Sequence, residues 1–347
     1  MRYILLFCLA CNPRMDPPPS HCEGAESVHV ETADGAEIAL HRHAASGPPV
    51  LLIHGISSNH RFWDLTQDQS MALILVKAGF DPWLLDLRGH GDAVFKANGE
   101  RQRHGWSVDD YGIFDLHAAI GHIQAQTGQE RVAIVGHSMG GLVGAIYQAH
   151  HGDDALAALV VVGTPGTFDT KGLKRALGRA STLVGSLPPS FGSPTVARWM
   201  AGWQGNIPAH GEGILFTASN MPPHMRRLML RNIVSPTSRE EVSQLKQMVA
   251  SGSFTSADGE MDYSAKLSEL TVPFLAISGG GDFIVPPELV EPWMDQVGSD
   301  DKTLIEASKA NGYAADYGHL DLALGPAAPR EILRPVAEWL GQRRDRW

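Results

Sequence analysis

Apolar residues recur along this chain in two registers. Val28-His-Val-Glu-Thr32 and Glu37-Ile-Ala-Leu-His41 alternate with the period of two that marks a half-buried strand. Asp34-Gly35 between them is a strong tight-hairpin signal, since glycine takes a positive φ without strain. The pattern then changes. Val50-Leu-Leu-Ile53, Asp81-Pro-Trp-Leu-Leu-Asp86, Val132-Ala-Ile-Val135, residues 156–162 and Val272-Pro-Phe-Leu-Ala-Ile277 are nearly unbroken apolar runs, as expected of strands covered on both faces, and 302–307 reads as the last strand. Helical spacing fills the gaps. Residues 71–78 stop at Gly79, and 108–126 carry a stripe of Tyr111, Phe114, Ala118, Ile120 and Ile123 that stops at Gly128. A third helix opens at Ser138 with Leu142, Val143, Ile146 and Tyr147, and a final one covers roughly 328–343. Strand alternating with helix predicts an α/β fold: a mostly parallel central sheet with helices on both faces and an antiparallel edge at its start.

The alternation lapses between 166 and 262. A structureless loop of that length does not suit a compact domain, so a helical cap is expected there, inserted after the sixth strand. The boundaries that follow are a leader and tether over 1–24, core over 25–165, cap over 166–265 and core again over 266–347. Arginines in the cap (Arg175, Arg179, Arg198, Arg226, Arg227, Arg231) read as a solvated face. Trp199, Trp203, Met200, Met221, Met225 and Met229 either line an adaptable apolar pocket or bury the cap against the core.

Composition narrows the function classes. With 347 residues and 43% hydrophobic residues the chain can build a large core. A net charge of −10 without long runs of one sign argues against nucleic acid as partner. Neither a phosphate-binding glycine loop nor zinc-type Cys/His spacing stands out, so no metal or cofactor is expected. All three cysteines, Cys8, Cys11 and Cys22, fall near the start, leaving the folded body without disulfides. Arg2 followed by Tyr3-Ile-Leu-Leu-Phe-Cys-Leu-Ala10 has the order of a signal peptide, and Cys11 after Leu9-Ala10 is similar to a lipoprotein cleavage site. The expectation is an exported, periplasmic or lipid-anchored protein attached to a membrane through Cys11, with a cytoplasmic enzyme as the alternative.

The chemistry gathers at strand ends. Gly136-His-Ser-Met-Gly140 matches G-x-S-x-G directly after a buried strand and before a helix. A serine hydroxyl is a poor nucleophile until an imidazole accepts its proton, and the imidazole in turn needs a carboxylate to set its tautomer. His319, in Tyr317-Gly-His-Leu-Asp321, is the candidate base, and Asp282, at the end of Ser278-Gly-Gly-Gly-Asp282, is the candidate acid. Asp316 and Asp321 lie nearer His319 in sequence, but such neighbours are usually surface groups. His137 adjoins Ser138, yet its side chain should point away. Asp86 and Arg88 suit bracing of a loop better than catalysis.

His54-Gly55, Arg88-Gly-His-Gly91, Gly136-His-Ser-Met-Gly140, Gly281-Asp282 and Gly318-His319 resemble the α/β-hydrolase superfamily from about residue 28 onward, apart from the cap. Ser70-Met-Ala-Leu-Ile-Leu-Val-Lys-Ala-Gly-Phe-Asp-Pro-Trp83 and Trp106-Ser-Val-Asp-Asp-Tyr111 resemble its acid-lipase branch and, more faintly, the polyhydroxyalkanoate-synthase branch. Acid lipases commonly carry Arg-Gly-Asn and Ser-Gln-Gly where this chain has Arg88-Gly-His and Ser138-Met-Gly. Synthases carry a cysteine where this chain has Ser138. The resemblance implies the α/β-hydrolase fold, Ser138, Asp282 and His319 as catalytic residues, and backbone N–H groups of Ile56 and Met139 as the oxyanion hole. It further implies hydrolysis of a hydrophobic carboxylic ester without a cofactor. Acyl transfer, thioester, lactone or C–C cleavage, and a binding protein without turnover, remain the alternatives.

Overall fold

The computed structural model describes residues 25–102, 105–168 and 212–347. The expected leader with Cys11, and the part of the expected cap that holds Arg175, Arg179, Arg198, Trp199, Met200 and Trp203, lie outside the described residues.

Eight strands make one sheet: β1 (Glu26–Glu31), β2 (Glu37–Arg42), β3 (Pro49–Ile53), β4 (Asp81–Asp86), β5 (Val132–His137), β6 (Leu156–Val162), β7 (Phe274–Gly279) and β8 (Lys302–Ala307). Their spatial order is β1-β2-β4-β3-β5-β6-β7-β8. β2 pairs antiparallel with β1 and with β4, and the remaining pairs are parallel. Gly35 closes the first hairpin at φ +82°.

Alternation along the central strands sorts side chains to the two faces. Leu51, Ile53, Ile134, Leu159 and Val161 join one core with Tyr111, Ile120, Leu142 and Ile146. Val50, Leu52, Val135, Val160 and Val162 join the other, with Met71, Leu75, Val336 and Leu340. Burying each such side chain contributes about 1.5–3 kcal/mol, which explains why both faces must be covered and why the runs are apolar throughout. The first face is covered by α2 (Leu116–Thr127) and α3 (Met139–His151), the second by α1 (Met71–Lys77) and a C-terminal helix. Two helices of the segment in which a cap was expected, α4 (Pro223–Asn232) and α5 (Arg239–Ser251), precede that last one, α6 (Arg334–Gly341). No helix among the described residues is long and apolar enough to cross a membrane.

Two expected helices are less regular than their sequence pattern. The helix expected over 108–126 widens into a π turn at Tyr111–Asp115, between Val108–Asp110 and α2. There Gly112 lies so close to α3 that a Cβ would sit 2.4 Å from the Ile146 side chain. The final helix likewise begins with a π turn, Pro329–Leu333, just before Pro335, which has no N–H to donate to an earlier turn.

The order of the strands also locates a crevice. From β3 the chain moves outward to β4 and then returns to the other side of β3 to form β5, so the loops leaving β3 and β5 diverge. The crevice beyond the carboxyl ends of such strands is where open α/β sheets bind ligands.

Candidate active site

Ser138 leaves β5 at φ +53° and ψ −119°, outside the regions that L-residues ordinarily occupy. The helix therefore starts one residue later than expected, at Met139. Neighbouring elements hold the strain in place. Ser138 N donates to Val162 O at 2.8 Å, and Thr164 Oγ1 donates to Ser138 O at 2.9 Å. The flanking glycines are required sterically. A Cβ on Gly136 would lie 2.4 Å from the Gly140 carbonyl carbon, and one on Gly140 would lie 2.6 Å from Ile53 O and 2.7 Å from His54 O. The elbow is thus pressed against the end of β3. Gly55, next along that turn, faces the serine closely enough that a Cβ there would be 3.3 Å from Ser138 Cβ.

The three glycines before Asp282 have an equally local reason. Cβ atoms at Gly279 and Gly281 would lie 2.3 Å from Tyr317 O and 2.6 Å from Asp316 O, and one at Gly280 would lie 2.5 Å from Ser308 Cβ. The Gly-Gly-Gly run lets the loop carrying His319 lie directly on the turn carrying Asp282. Asp282 Oδ1 accepts from Ile284 N at 2.9 Å and Val285 N at 2.8 Å. Its Oδ2 then meets His319 Nδ1 at 2.8 Å, and His319 Nε2 lies 2.9 Å from Ser138 Oγ. Asp282 and His319 are 3% and 4% exposed, so bulk water does not compete for these bonds.

The structure thus brings together Ser138, His319 and Asp282. Asp316 and Asp321 take no part in that contact. Asp321 is not a surface group, as its position had suggested, but is fully buried. Its carboxylate accepts from Gly318 N at 3.0 Å and, across to the cap, from Thr217 N at 3.0 Å and Asn220 Nδ2 at 2.7 Å. Burial raises its pKa against the pull of those donors. His137 is the other residue whose part the sequence did not disclose. Its Nε2 donates to His319 O at 3.0 Å, and its ring stacks on Phe62 at 4.3 Å. Burial, and then the neighbouring His319, push its pKa well below the ordinary histidine value, so it stays neutral as a prop under the His319 backbone. A histidine just before the serine was the available signal, but which way its ring turns depends on Phe62 and the 319 loop.

The braces expected of Asp86 and Arg88 are present. Asp86 accepts from His60 N at 2.7 Å, from Asp92 N at 2.8 Å, and from the rings of His60 at 2.8 Å and His41 at 3.0 Å. Burial opposes its charge, but the two histidines hold its pKa well below the usual range. His41, His60 and Asp86 also have the donor set of a metal centre. The two imidazoles, however, stack at 3.7 Å with planes only 26° apart. Each also directs its nitrogen at the same Asp86 Oδ2, so these donor atoms are already engaged with one another. The cluster is therefore a hydrogen-bonded brace. Arg88 bonds Asp115 at 2.7 Å and Asp34 at 2.9 Å, tying the π turn and the first hairpin to the loop after β4.

Residues 232–235 bond back to the turn after β3. Asn59 Nδ2 donates to Asn232 O at 2.9 Å and Ile233 O at 2.8 Å, while Ser235 N donates to Ser57 O at 2.9 Å. Ser57, beside Ile56, is the other non-glycine residue at positive φ among the described residues, at +55°. Met221, Met225 and Met229 are buried in the same cluster as Phe62, Trp63 and Leu322, so these three join cap to core.

A family profile described as the alpha/beta hydrolase fold matches residues 48–310. The poly(3-hydroxyalkanoate) polymerase subunit PhaC of Haloarcula marismortui is 22% identical over 92% of this chain and 66% of its own length. Triacylglycerol lipase 1 of Arabidopsis thaliana is 25% identical over 89% of this chain and 85% of its own. Human lysosomal acid lipase/cholesteryl ester hydrolase is 36% identical over 35% of this chain and 34% of its own. Both branches to which the sequence was compared are therefore among its relatives. Among solved structures, a thermophilic esterase from Thermogutta terrifontis aligns with TM-score 0.60 and 22% identity over 92% of this chain and 100% of its own, which shows the shared fold.

Proposed function

The chain belongs to the α/β-hydrolase fold family, and from that premise we propose that it is a serine hydrolase cleaving carboxylic esters with a hydrophobic acyl group. The reading is carried by the unbroken relay from Asp282 through His319 to Ser138, at 2.8 and 2.9 Å. Because Ile284 N and Val285 N occupy Oδ1 of Asp282, its Oδ2 is directed at Nδ1–H of His319, and Nε2 of that tautomer is left as the acceptor. In this mechanism Nε2 takes the Ser138 proton as Oγ attacks the ester carbonyl. The oxyanion is held by the N–H of Met139, at the positive end of α3, and by that of Ile56. His319 then protonates the leaving alcohol, and water activated by the same ring releases the acyl group.

A hydrophobic acyl group is supported by lipases among the relatives. Ser138→Ala is expected to lower hydrolysis of short p-nitrophenyl esters by at least roughly a thousandfold. An unchanged rate in purified protein would refute the reading. One observation favours a second: the polymerase subunit is related over nearly the whole chain, so the acyl-serine could pass to a hydroxyl acceptor instead of water. Product analysis with added alcohols separates the two, since transfer yields a new ester and hydrolysis only the acid.

A further inference from the structure

His319 reaches Ser138 from a loop that has little secondary structure of its own, and beside its contacts with the core that loop is held by residues 215–220. Leu320 N donates to Leu215 O at 2.9 Å, and Thr217 Oγ1 donates to Asp316 O at 2.7 Å. Between these two bonds sits the buried carboxylate of Asp321, which takes Gly318 N and Thr217 N on one oxygen and Asn220 Nδ2 on the other. The fit is close: a Cβ on Gly318 would lie 2.6 Å from Thr217 N and 2.8 Å from Asp321 Oδ1. The cap turn is in turn fastened to α4. Arg226 donates to Met221 O at 2.5 Å and Ala218 O at 2.7 Å, and its guanidinium lies 5.3 Å from the centre of the Phe216 ring.

We propose that Asp321 is a positioning residue that latches the His319 loop to cap residues 215–220, so that Nε2 of His319 meets Ser138 only when this part of the cap is docked. The proposal rests on the reading of His319 as general base. Asp321 touches neither the serine nor the Asp282 carboxylate; it acts through the backbone of Gly318 and His319. The cap is thereby part of the catalytic geometry and not only a cover, since an ångström of drift in the ring costs rate far more than it costs fold.

The test uses the full chain with Asp321→Asn, Asn220→Ala and the pair combined. Asp321→Asn keeps an acceptor for Gly318 and Thr217 but sets an amide against Asn220. Asn220→Ala removes the side-chain donor to Asp321 Oδ2 and leaves Asp321 and its bond from Thr217 N intact, which covers the case in which the first variant fails to fold. Each single variant is expected to lower kcat on p-nitrophenyl esters by roughly ten- to a hundredfold with KM within about twofold. The double variant should be no worse than the poorer single, because both break one contact. Independently of any substrate, the downfield Nδ1 proton of His319 in the ¹H NMR spectrum should shift or broaden. If both singles lower only the melting temperature, leaving kcat and the Nδ1 proton of His319 at wild-type values, the proposal is overturned. Failure of the esterase reading shows separately, as activity that survives Ser138→Ala, and the NMR comparison still decides the latch.

Discussion

The nucleophile side of the site and the cap side are held by different physics. Around Ser138 the constraint is steric: Gly136 and Gly140 bring backbone against backbone at distances that no Cβ could occupy, inside a sheet whose strands β3, β5 and β6 are fully buried. Around α4 polar contacts are added to the buried Met221, Met225 and Met229: Asn59, Ser57 and Asp321 reach across to this region by hydrogen bonds. Buried charge follows the same division. Asp86 in the core collects four hydrogen bonds. Glu241 on α5, equally buried, accepts from Tyr111 Oη at 3.0 Å and Ser238 N at 3.2 Å, but its Oε1 has no hydrogen-bond partner. It faces the bare Nε2 of His90 at 3.9 Å. This is not an ion pair. Burial raises Glu241 to about 8, against the pull of its two donors, while burial and then His54 lower His90 to about 3. Both are neutral at pH 7, and the contact is a carboxylic acid beside an imidazole acceptor. The lowered pKa of Asp86 makes its contribution to the core one that is lost as pH falls, whereas the raised pKa of Glu241 makes its contribution one that is lost as pH rises.

The largest effect should come from Gly140→Ala. A methyl group 2.6 Å from a carbonyl of β3 has nothing flexible to displace, so a loss of about 3 kcal/mol or more in chemical denaturation is expected. A stable, active variant would mean that the elbow is not fixed sterically. Next is pH. The folded pKa of Glu241 stands at about 8 against an ordinary 4.5, so its contribution is fully present below about 4.5 and is lost as pH rises through 8. Stability should therefore fall across that window by on the order of a few kcal/mol, and Glu241→Gln should flatten that part of the curve. An identical slope in the variant would remove Glu241 as its source.

Smaller effects should be confined to the cap. Asn59→Ala deletes donors to Asn232 and Ile233 and is expected to cost about 1–2 kcal/mol. Hydrogen exchange should quicken at residues 232–241 while the amides of β5 and β6 stay protected. Exchange that quickened equally in both regions would erase the distinction between them. The smallest change is Thr237→Val, which removes only the hydroxyl contact with Ser57. A loss of about 1 kcal/mol or less is expected, and labelling of Ser138 by a fluorophosphonate should keep its wild-type rate.

Much of this molecule was legible from local pattern. Every strand of the large sheet, the Asp34-Gly35 hairpin, the crossover helices and the serine elbow follow from apolar periodicity and from glycines at turns, because those signals act over a few residues. The order Ser138, Asp282, His319 was legible too, Ser138 and Asp282 standing just past a strand and His319 on the loop that follows the last one. The π turn at Tyr111–Asp115 was not, since its cause is the close approach of α3 to Gly112. Nor were the parts taken by His137 and Asp321. His137 meets a carbonyl 182 residues away, and Asp321 meets Thr217 and Asn220 at separations of 104 and 101. The sequence by itself determined which residues must be buried, where the chain must turn, and which side chains could do chemistry. Only the tertiary structure decided which buried polar group meets which partner, because hydrophobic burial is non-directional and set by composition along a few turns of chain. A hydrogen bond, by contrast, needs two atoms within about 3 Å at the right angle, a condition met only once distant segments have packed.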